Sequence, residues 1–421
     1  MPHQEALTII AKVAPEREAE LADVMRVLAQ NPAQNDVLSF SAWPGCHFGR
    51  VLHLPASTDP HGARIGPQLM LLSDCDGPAH THLRQLVDVA GAGLDRLFGP
   101  CVDYPRQPAP ESRLAFLKKR VQNVKAVYVH RQGRTVEQIR REAELRKALV
   151  AFVAAQRFQD LCALSIRDQI IAHARTTGPL RWALDAAPTL DTKYRLQNAL
   201  DLLTVPLGLI AFGPVVIPAA VLLLLLVRLQ EQRDATDPKP PSLDLVRALN
   251  ELEDFAAHNG FTAGGYVKPG WVRRAAVSSL LPLIGWGSRH LFTQDSLAGV
   301  KSIHFARWVP LDEGRRVIFA SNYDGSLESY NNDFIDLVAW GLNLIFSNGL
   351  GYPSTRWLIF GGARYEQDFK NFLRSRQIPT PVWYSAYPQL SARNVERNAK
   401  LRAGLRGRMT EQEAQAWLSL L

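Results

Sequence analysis

The sequence predicts an α+β protein made of two copies of one strand–helix–strand–strand–helix–strand unit, separated by a segment apolar enough to enter a membrane. Three observations predict it. Short blocks of residues recur in the same order in both halves of the chain, strand and helix patterns fall at matching places around them, and residues 202–227 carry no charge over 26 positions. A length of 421 residues allows two to three domains, each able to bury a core. Hydrophobic residues make up 47% and charged residues 21%, which excludes a disordered chain. The net charge of +8 is spread without any run of five Lys or Arg, so nothing points to nucleic acid, whereas an anionic membrane surface suits it.

The repeat is the most specific signal. His47-Phe48-Gly49-Arg50 returns as His304-Phe305-Ala306-Arg307, and Ser73-Asp74-Cys75-Asp76-Gly77 returns as Ser321-Asn322-Tyr323-Asp324-Gly325. Asp88, Gly93-Leu94, Phe98 and Tyr104-Pro105 then match Asp336, Gly341-Leu342, Phe346 and Tyr352-Pro353 without a gap. Tyr128 matches Tyr384, and Ala143, Leu145, Arg146 and Leu149 match Ala399, Leu401, Arg402 and Leu405. Duplication explains four ordered blocks where chance would explain one.

In the first copy, residues 8–13 read as a strand, followed by a helix opening on the charged turn Pro15-Glu16-Arg17-Glu18. Strands are expected at 47–54, 68–72 and 125–129, and helices at 79–98 and from about 135. The second copy gives strands near 262–268, 302–310, 316–322, 356–360 and 381–385, with helices near 270–287, 326–347, 363–375 and 391–406. Such a unit covers only one sheet face with helices, so two copies packed sheet to sheet complete the core. The chain divides into repeat one (1–150), connecting helices (151–198), a membrane anchor (199–229), a linker with an amphipathic helix (230–259) and repeat two (260–421).

This element order is the ferredoxin-like unit, and with the duplicated blocks it resembles the dimeric α+β barrel superfamily in a form fused into one chain. The Asp-Gly blocks and the run Tyr384–Pro388 also look like an uncharacterised bacterial membrane-associated family. The resemblance implies a pseudo-dimeric α+β barrel with a ligand cavity between the sheets. The Asp-Gly pair is distantly similar to part of the distal motif of dye-decolourising peroxidases, where Asp324 and Arg307 would serve a haem. The Gly that opens that motif is replaced, by Ser321 or its neighbour Ala320, and no histidine follows His304 to act as proximal ligand.

A span of hydrocarbon about 30 Å thick needs about 20 apolar residues, and Leu202–Val227 supplies them. Pro206, Pro214 and Pro218 argue against one straight helix. A hairpin turning at Phe212-Gly213-Pro214 leaves two arms too short to cross and is the favoured reading, with a kinked single span as its rival. Positive residues flank both sides (Lys193, Arg195, Arg228, Arg233), as for a re-entrant anchor with both ends cytoplasmic. Ala275–Gly287 reads as a core helix of copy two whose outer face touches lipid.

Cys46, Cys75, Cys101 and Cys162 form no CxxC pair and lack zinc-ligand spacing, so reduced buried thiols in a cytoplasmic compartment are expected. The stretch from Met1 to Glu18 reads as no signal peptide. Strand alternation puts His47 and His304 on one face and Arg50 and Arg307 on the other. Asp76 and Asp324 at strand–helix junctions suit an N-cap or turn, or an acid/base role. Asp324, Arg307 and His304 are the catalytic candidates, and His47, Arg50, Asp76, Tyr352 and Tyr384 the ligand-binding ones. No metal ligand set is expected: Glu328, Asp333 and Asp336 read as a solvated helix face, and Gly361-Gly362 as a weak anion nest. The expected function is binding or transforming a lipid-like small molecule between the sheets, with a membrane adaptor and a haem peroxidase as alternatives. Membrane lipid and a hydrophobic small molecule are the expected partners, and a homo-oligomer is compatible with them.

Overall fold

The structure, a computed structural model, describes residues 3–156, 158, 161–187, 189–237, 239–292 and 297–421. It is a mixed α/β protein with antiparallel sheets and one long apolar helix. The strands are β1 (Gln4–Lys12), β2 (Cys46–Leu54), β3 (Gln68–Asp76), β4 (Ala126–Val129), β5 (His258–Tyr266), β6 (Ile303–Leu311), β7 (Arg316–Asp324) and β8 (Val382–Ser385). Copy for copy they have the same lengths, with nine residues in β1–β3 and in β5–β7 and four in β4 and β8. The expected strand at 356–360 is only one short ladder of two two-residue strands, Thr355–Arg356 with Phe360–Gly361.

Each half gives its last strand to the other. The first sheet runs β1-β3-β2-β8 and the second β4-β6-β7-β5, all antiparallel. The chain just ahead of each exchanged strand ties down its own half's open edge. Gln122 N–H donates to Thr8 O at 2.8 Å, and Ile378 N–H to Thr262 O at 2.8 Å. The two halves of the chain are therefore interlocked in space.

Between the sheets lies a filled layer. Ile10, Leu52, Leu54, Met70 and Leu72 of the first sheet pack on Val309, Leu311, Ile318 and Ala320 of the second. On the outer face of the first sheet lie α1 (Glu18–Gln30), α2 (Ala79–Phe98) and α3 (Pro110–Lys118), whose Leu21, Leu86 and Phe116 join one core. Helix α4 (Val136–Ala155), at the end of repeat one, and α5 (Ala163–Thr176) build a further small core with the C-terminal residues.

The long helix α6 (Thr192–Glu231) is continuous, and Pro206, Pro214 and Pro218 lie inside it. The chain therefore does not turn at Phe212-Gly213-Pro214, and the expected hairpin is corrected. A proline costs the helix a hydrogen bond and bends it without ending it when the flanking turns are otherwise good helix formers.

The short helix α7 (Leu243–Asn250) follows, and then α8 (Trp271–His290), which packs on β4 of the second sheet. Helix α6 is fastened to α8 at both ends. Near its start, Asp201 Oδ2 accepts from Arg289 Nη1 at 2.7 Å and contacts His290 Nε2 at 3.0 Å, and Trp286 Nε1–H donates to Asp201 O. Near its end, Val227 packs with Val272, Ala276 and Leu358. Buried Glu231 accepts from Thr355 Oγ1, Trp357 N–H and Leu358 N–H, each at 2.8 Å. Between these docks, residues 209–222 are exposed apart from Gly213, with Ile210 78% and Val215 73% accessible. The remaining helices, α9 (Leu327–Phe346), α10 (Glu366–Arg376), α11 (Ala392–Ala403) and α12 (Glu411–Leu418), belong to the second half.

Candidate functional site

The repeated His-Phe-x-Arg starts on a β-bulge. In β2 the pairing register slips between Cys46 and Phe48, and in β6 between Ile303 and Phe305. A bulge adds one residue and breaks the alternation of faces, so the histidines and arginines do not point to opposite sides. The His47 ring lies 5.2 Å from Phe305 of the other sheet, and the Arg50 guanidinium bonds Phe261 O across the same gap.

Both histidines meet the aspartate that ends the neighbouring strand. His47 Nε2–H donates to Asp76 Oδ1 at 2.9 Å, and His304 Nε2–H to Asp324 Oδ1 at 2.7 Å. A carboxylate accepts only, which fixes the proton on Nε2. Neither aspartate caps the helix that follows it. The second oxygen of Asp76 accepts the Val136 N–H that opens α4, and that of Asp324 the Ala392 N–H that opens α11. Gly77 and Gly325 make the turn, each at φ 81° where other residues are strained. Burial pushes the Asp76 carboxyl up, but hydrogen bonds from His47, Gln4 and Val136 outweigh it and hold it below the usual carboxylate range.

A third side chain joins each pair from the first strand of its half, and here the copies differ. Gln4 donates from Nε2 to Asp76 Oδ1 and to Arg134 O, both at 2.9 Å. At the equivalent place, His258 Nε2 lies 2.6 Å from Leu390 O and 3.4 Å from Asp324 Oδ1, while its Nδ1 contacts Ser385 Oγ at 3.1 Å. Burial, reinforced by the neighbouring His304, pushes the His258 imidazole down to about 3, so the ring is neutral near pH 7. Sequence reasoning missed His258 and Gln4 because it began both first strands four residues late. Extending them backward by pairing with β7 and β3 would have placed each residue opposite its aspartate.

Tyr387 closes the cluster. Its hydroxyl is 3.0 Å from His47 Nδ1, and its ring packs within 6.0 Å of His47, His258 and His304. The other tyrosine candidates lie elsewhere. Tyr384 stacks on Phe40 and takes a hydrogen bond from Arg140. Tyr352 is buried among Phe369 and Phe372 and donates to Asn343 Oδ1 at 2.7 Å.

The two arginines cross between the sheets as structural ties. Arg307 bonds Asp74 and donates to Leu7 O at 2.7 Å and Thr8 Oγ1 at 3.1 Å. Arg50 donates to Phe261 O, Thr262 Oγ1 and Ser321 O and bonds Asn322, which in turn donates to Asp74 Oδ2 at 2.9 Å. Their donors are thus spent on protein acceptors in the place where a ligand cavity was expected. Arg307 and Asp324, partners in the peroxidase resemblance, bond different residues. The Gly361-Gly362 nest is also filled: Gly362 N–H donates to Ser354 O at 2.8 Å and Ala363 N–H to Asn343 Oδ1 at 2.7 Å. Glu328 pairs with Lys370 on the surface, and Asp333 and Asp336 stay solvated.

A large concavity lies outside the sheets. A groove of about 1250 Å³ runs between β1, the chain entering β4 and the first turns of α6. Ala6, Val121, Val124, Val127 and Val129 make one wall, and Gln122, Gln132, Lys193, Gln197, Asn198 and Arg289 supply polar groups. Tyr194 bridges it, stacking on His3 at 4.1 Å and donating to Gln132 Oε1 at 2.9 Å. Compared with known proteins, the chain matches no protein-family model, no curated protein and no solved structure.

Proposed function

We propose that this is a monotopic membrane protein that binds an amphipathic, lipid-like small molecule in the groove at the foot of α6, on a scaffold of two ferredoxin-like repeats forming a pseudo-dimeric barrel. The observation that carries the membrane reading is the fastening of α6 to α8 at both ends. Between Asp201 and Val227 the helix runs along α8 for about 39 Å at 1.5 Å per residue, and most of its leucines, isoleucines and valines there are exposed. Held to one body near both ends, the helix offers its exposed apolar side to one lipid surface. Trp357 and Phe360, with Arg228 and Arg356 over their rings, stand by the end of α6, as do interfacial anchors in membrane proteins.

The groove lies where α6 passes from polar to apolar residues. A molecule with an alkyl chain and a hydrogen-bonding head would lay its chain on the valines and its head on the glutamines and Asn198. Lys193 and Arg289 are balanced by Glu5, Asp191 and Asp201, which favours a neutral or zwitterionic head over a strongly anionic one.

The test has two parts. In membranes, single cysteines at Arg195 and Gln232 in a cysteine-depleted chain should react with an impermeant maleimide from the same side; opposite sides would overturn the anchor. Protein extracted in polymer-bounded lipid discs should carry stoichiometric lipid by mass spectrometry. Val127→Trp, which fills the groove, should lower the bound amount at least fivefold while thermal unfolding stays normal. Equal lipid in both proteins would overturn the groove.

A further inference from the structure

We propose that His258, His304 and Asp324 form a binding site for one zinc-like divalent transition-metal ion, in the second half of the chain alone. The proposal is independent of the groove. Three ligand atoms, one from each residue, lie within 4.8 Å of one another. Donors about 2.0–2.2 Å from a tetrahedral ion stand about 3.4 Å apart. The His258 Nε2 to Asp324 Oδ1 separation is 3.4 Å, and the His304 hydrogen bond to the same oxygen, at 2.7 Å, has only to open by less than an ångström. Two imidazoles and one carboxylate on three different strand positions of one sheet leave the remaining coordination positions open, a set suited to zinc or iron(II) rather than to calcium or magnesium.

The surroundings orient these atoms as an outer shell does. Ser385 Oγ holds Nδ1 of His258, leaving Nε2 toward the cluster. Ala392 N–H holds Oδ2 of Asp324, leaving Oδ1 toward it. The Leu390 carbonyl, 2.6 Å from His258 Nε2, is a fourth oxygen at the rim. Without an ion, Nε2–H of His258 donates to that carbonyl. With one, the proton moves to Nδ1 and is donated to Ser385, whose hydroxyl can play either role. Both imidazoles are buried, so the ion would be shielded from most of the solvent, while Asp324, 17% exposed, gives it a way in.

The first half is a built-in control. It keeps His47 and Asp76 in the same geometry but has Gln4 where His258 stands, and the Gln4 amide donates to Asp76 Oδ1 and Arg134 O, the counterparts of the Asp324 oxygen and the Leu390 carbonyl beside His258 Nε2. A purely structural His258 would therefore be replaced by Gln at little cost, whereas a metal ligand would not.

The experiment uses full-length protein in detergent, stripped with a chelator and titrated with cobalt(II) as an optical probe and with zinc(II) by calorimetry. Wild type should take up one ion per chain, with visible cobalt bands of low-coordinate nitrogen and oxygen ligation. His258→Gln should fold normally and bind at least 100-fold more weakly, and Ser385→Ala about 10- to 100-fold more weakly. Gln4→His should raise the uptake to two ions per chain by completing the triad of the first half. Wild-type uptake below one ion in ten chains, or unchanged affinity in a folded His258→Gln protein, would overturn the site.

Discussion

Arg307 shows how much rests on one side chain. It is 3% exposed, its charge is met by Asp74, itself 2% exposed, and it ties β6 to β1 of the opposite sheet. Removing one member of such a pair leaves a buried charge without its partner, at a cost of about 3–5 kcal/mol. Arg307→Ala should lower stability by that amount in denaturant titrations, and the double change Arg307→Leu with Asp74→Leu should regain a good part of it. His82 gives a residue-level pH effect. It stacks on Trp43 at 3.9 Å, and burial pushes its imidazole down to about 3. Between the unfolded value of about 6.5 and that folded one, only the unfolded chain binds the proton, so stability falls as pH falls, by up to about 1.4 kcal/mol per pH unit. Urea midpoints at pH 7, 6 and 5 should show this, with a smaller slope in His82→Asn. The sequence marked Arg307 through the repeat but assigned it to a ligand. Its partners lie some 233 and 300 positions away, and only the bulge, which pattern reading cannot see, turns the arginine to meet them.

At the scale of elements, the strands and helices of both halves were legible because period-two and period-3.6 patterns were repeated in step. Helix α6 was legible as apolar but not as continuous. Proline statistics pointed to a break, and it is the docking of both ends on α8 that holds the long helix together. Beyond α8, buried Glu231 ties the end of α6 to the segment at Thr355–Leu358, accepting from Thr355, Trp357 and Leu358. Glu231→Ala strands these donors and should cost about 3 kcal/mol or more. Limited proteolysis should then cut first between Arg228 and Arg233. A cysteine pair joining Asp201 and Arg289 should leave membrane binding intact, since the proposed anchor needs no separation of α6 from α8. The cysteines themselves followed the sequence reading only in part: Cys46, Cys75 and Cys101 are buried, but Cys162 is exposed, and a thiol reagent should modify it first. Burial also pushes Cys46 and Cys101 up to about 12, which slows them further.

For the whole molecule, duplication foretold two matching sheets but not that β4 and β8 change places. A sequence repeat reports likeness between segments and carries no record of which copy each strand pairs with. The exchange predicts that neither half is stable alone. Residues 1–190 and 191–421, made separately, should aggregate, while the two fragments made together should co-purify through β4 on β6 and β8 on β2, detected by a tag on one of them. Soluble, folded single fragments would contradict this. The same exchange sets a timetable for synthesis. β2 is complete by residue 54, yet its neighbour β8 begins only at residue 382, and a ribosome adding roughly 5–20 residues per second needs tens of seconds to reach it. Throughout that delay an unfinished hydrogen-bonding edge waits in the open, while the oily helix has already left the exit tunnel. If α6 is the proposed anchor, the nascent polypeptide meets lipid before it can close its own core, and the bilayer surface, or a chaperone holding the early edge, is part of how this protein is born.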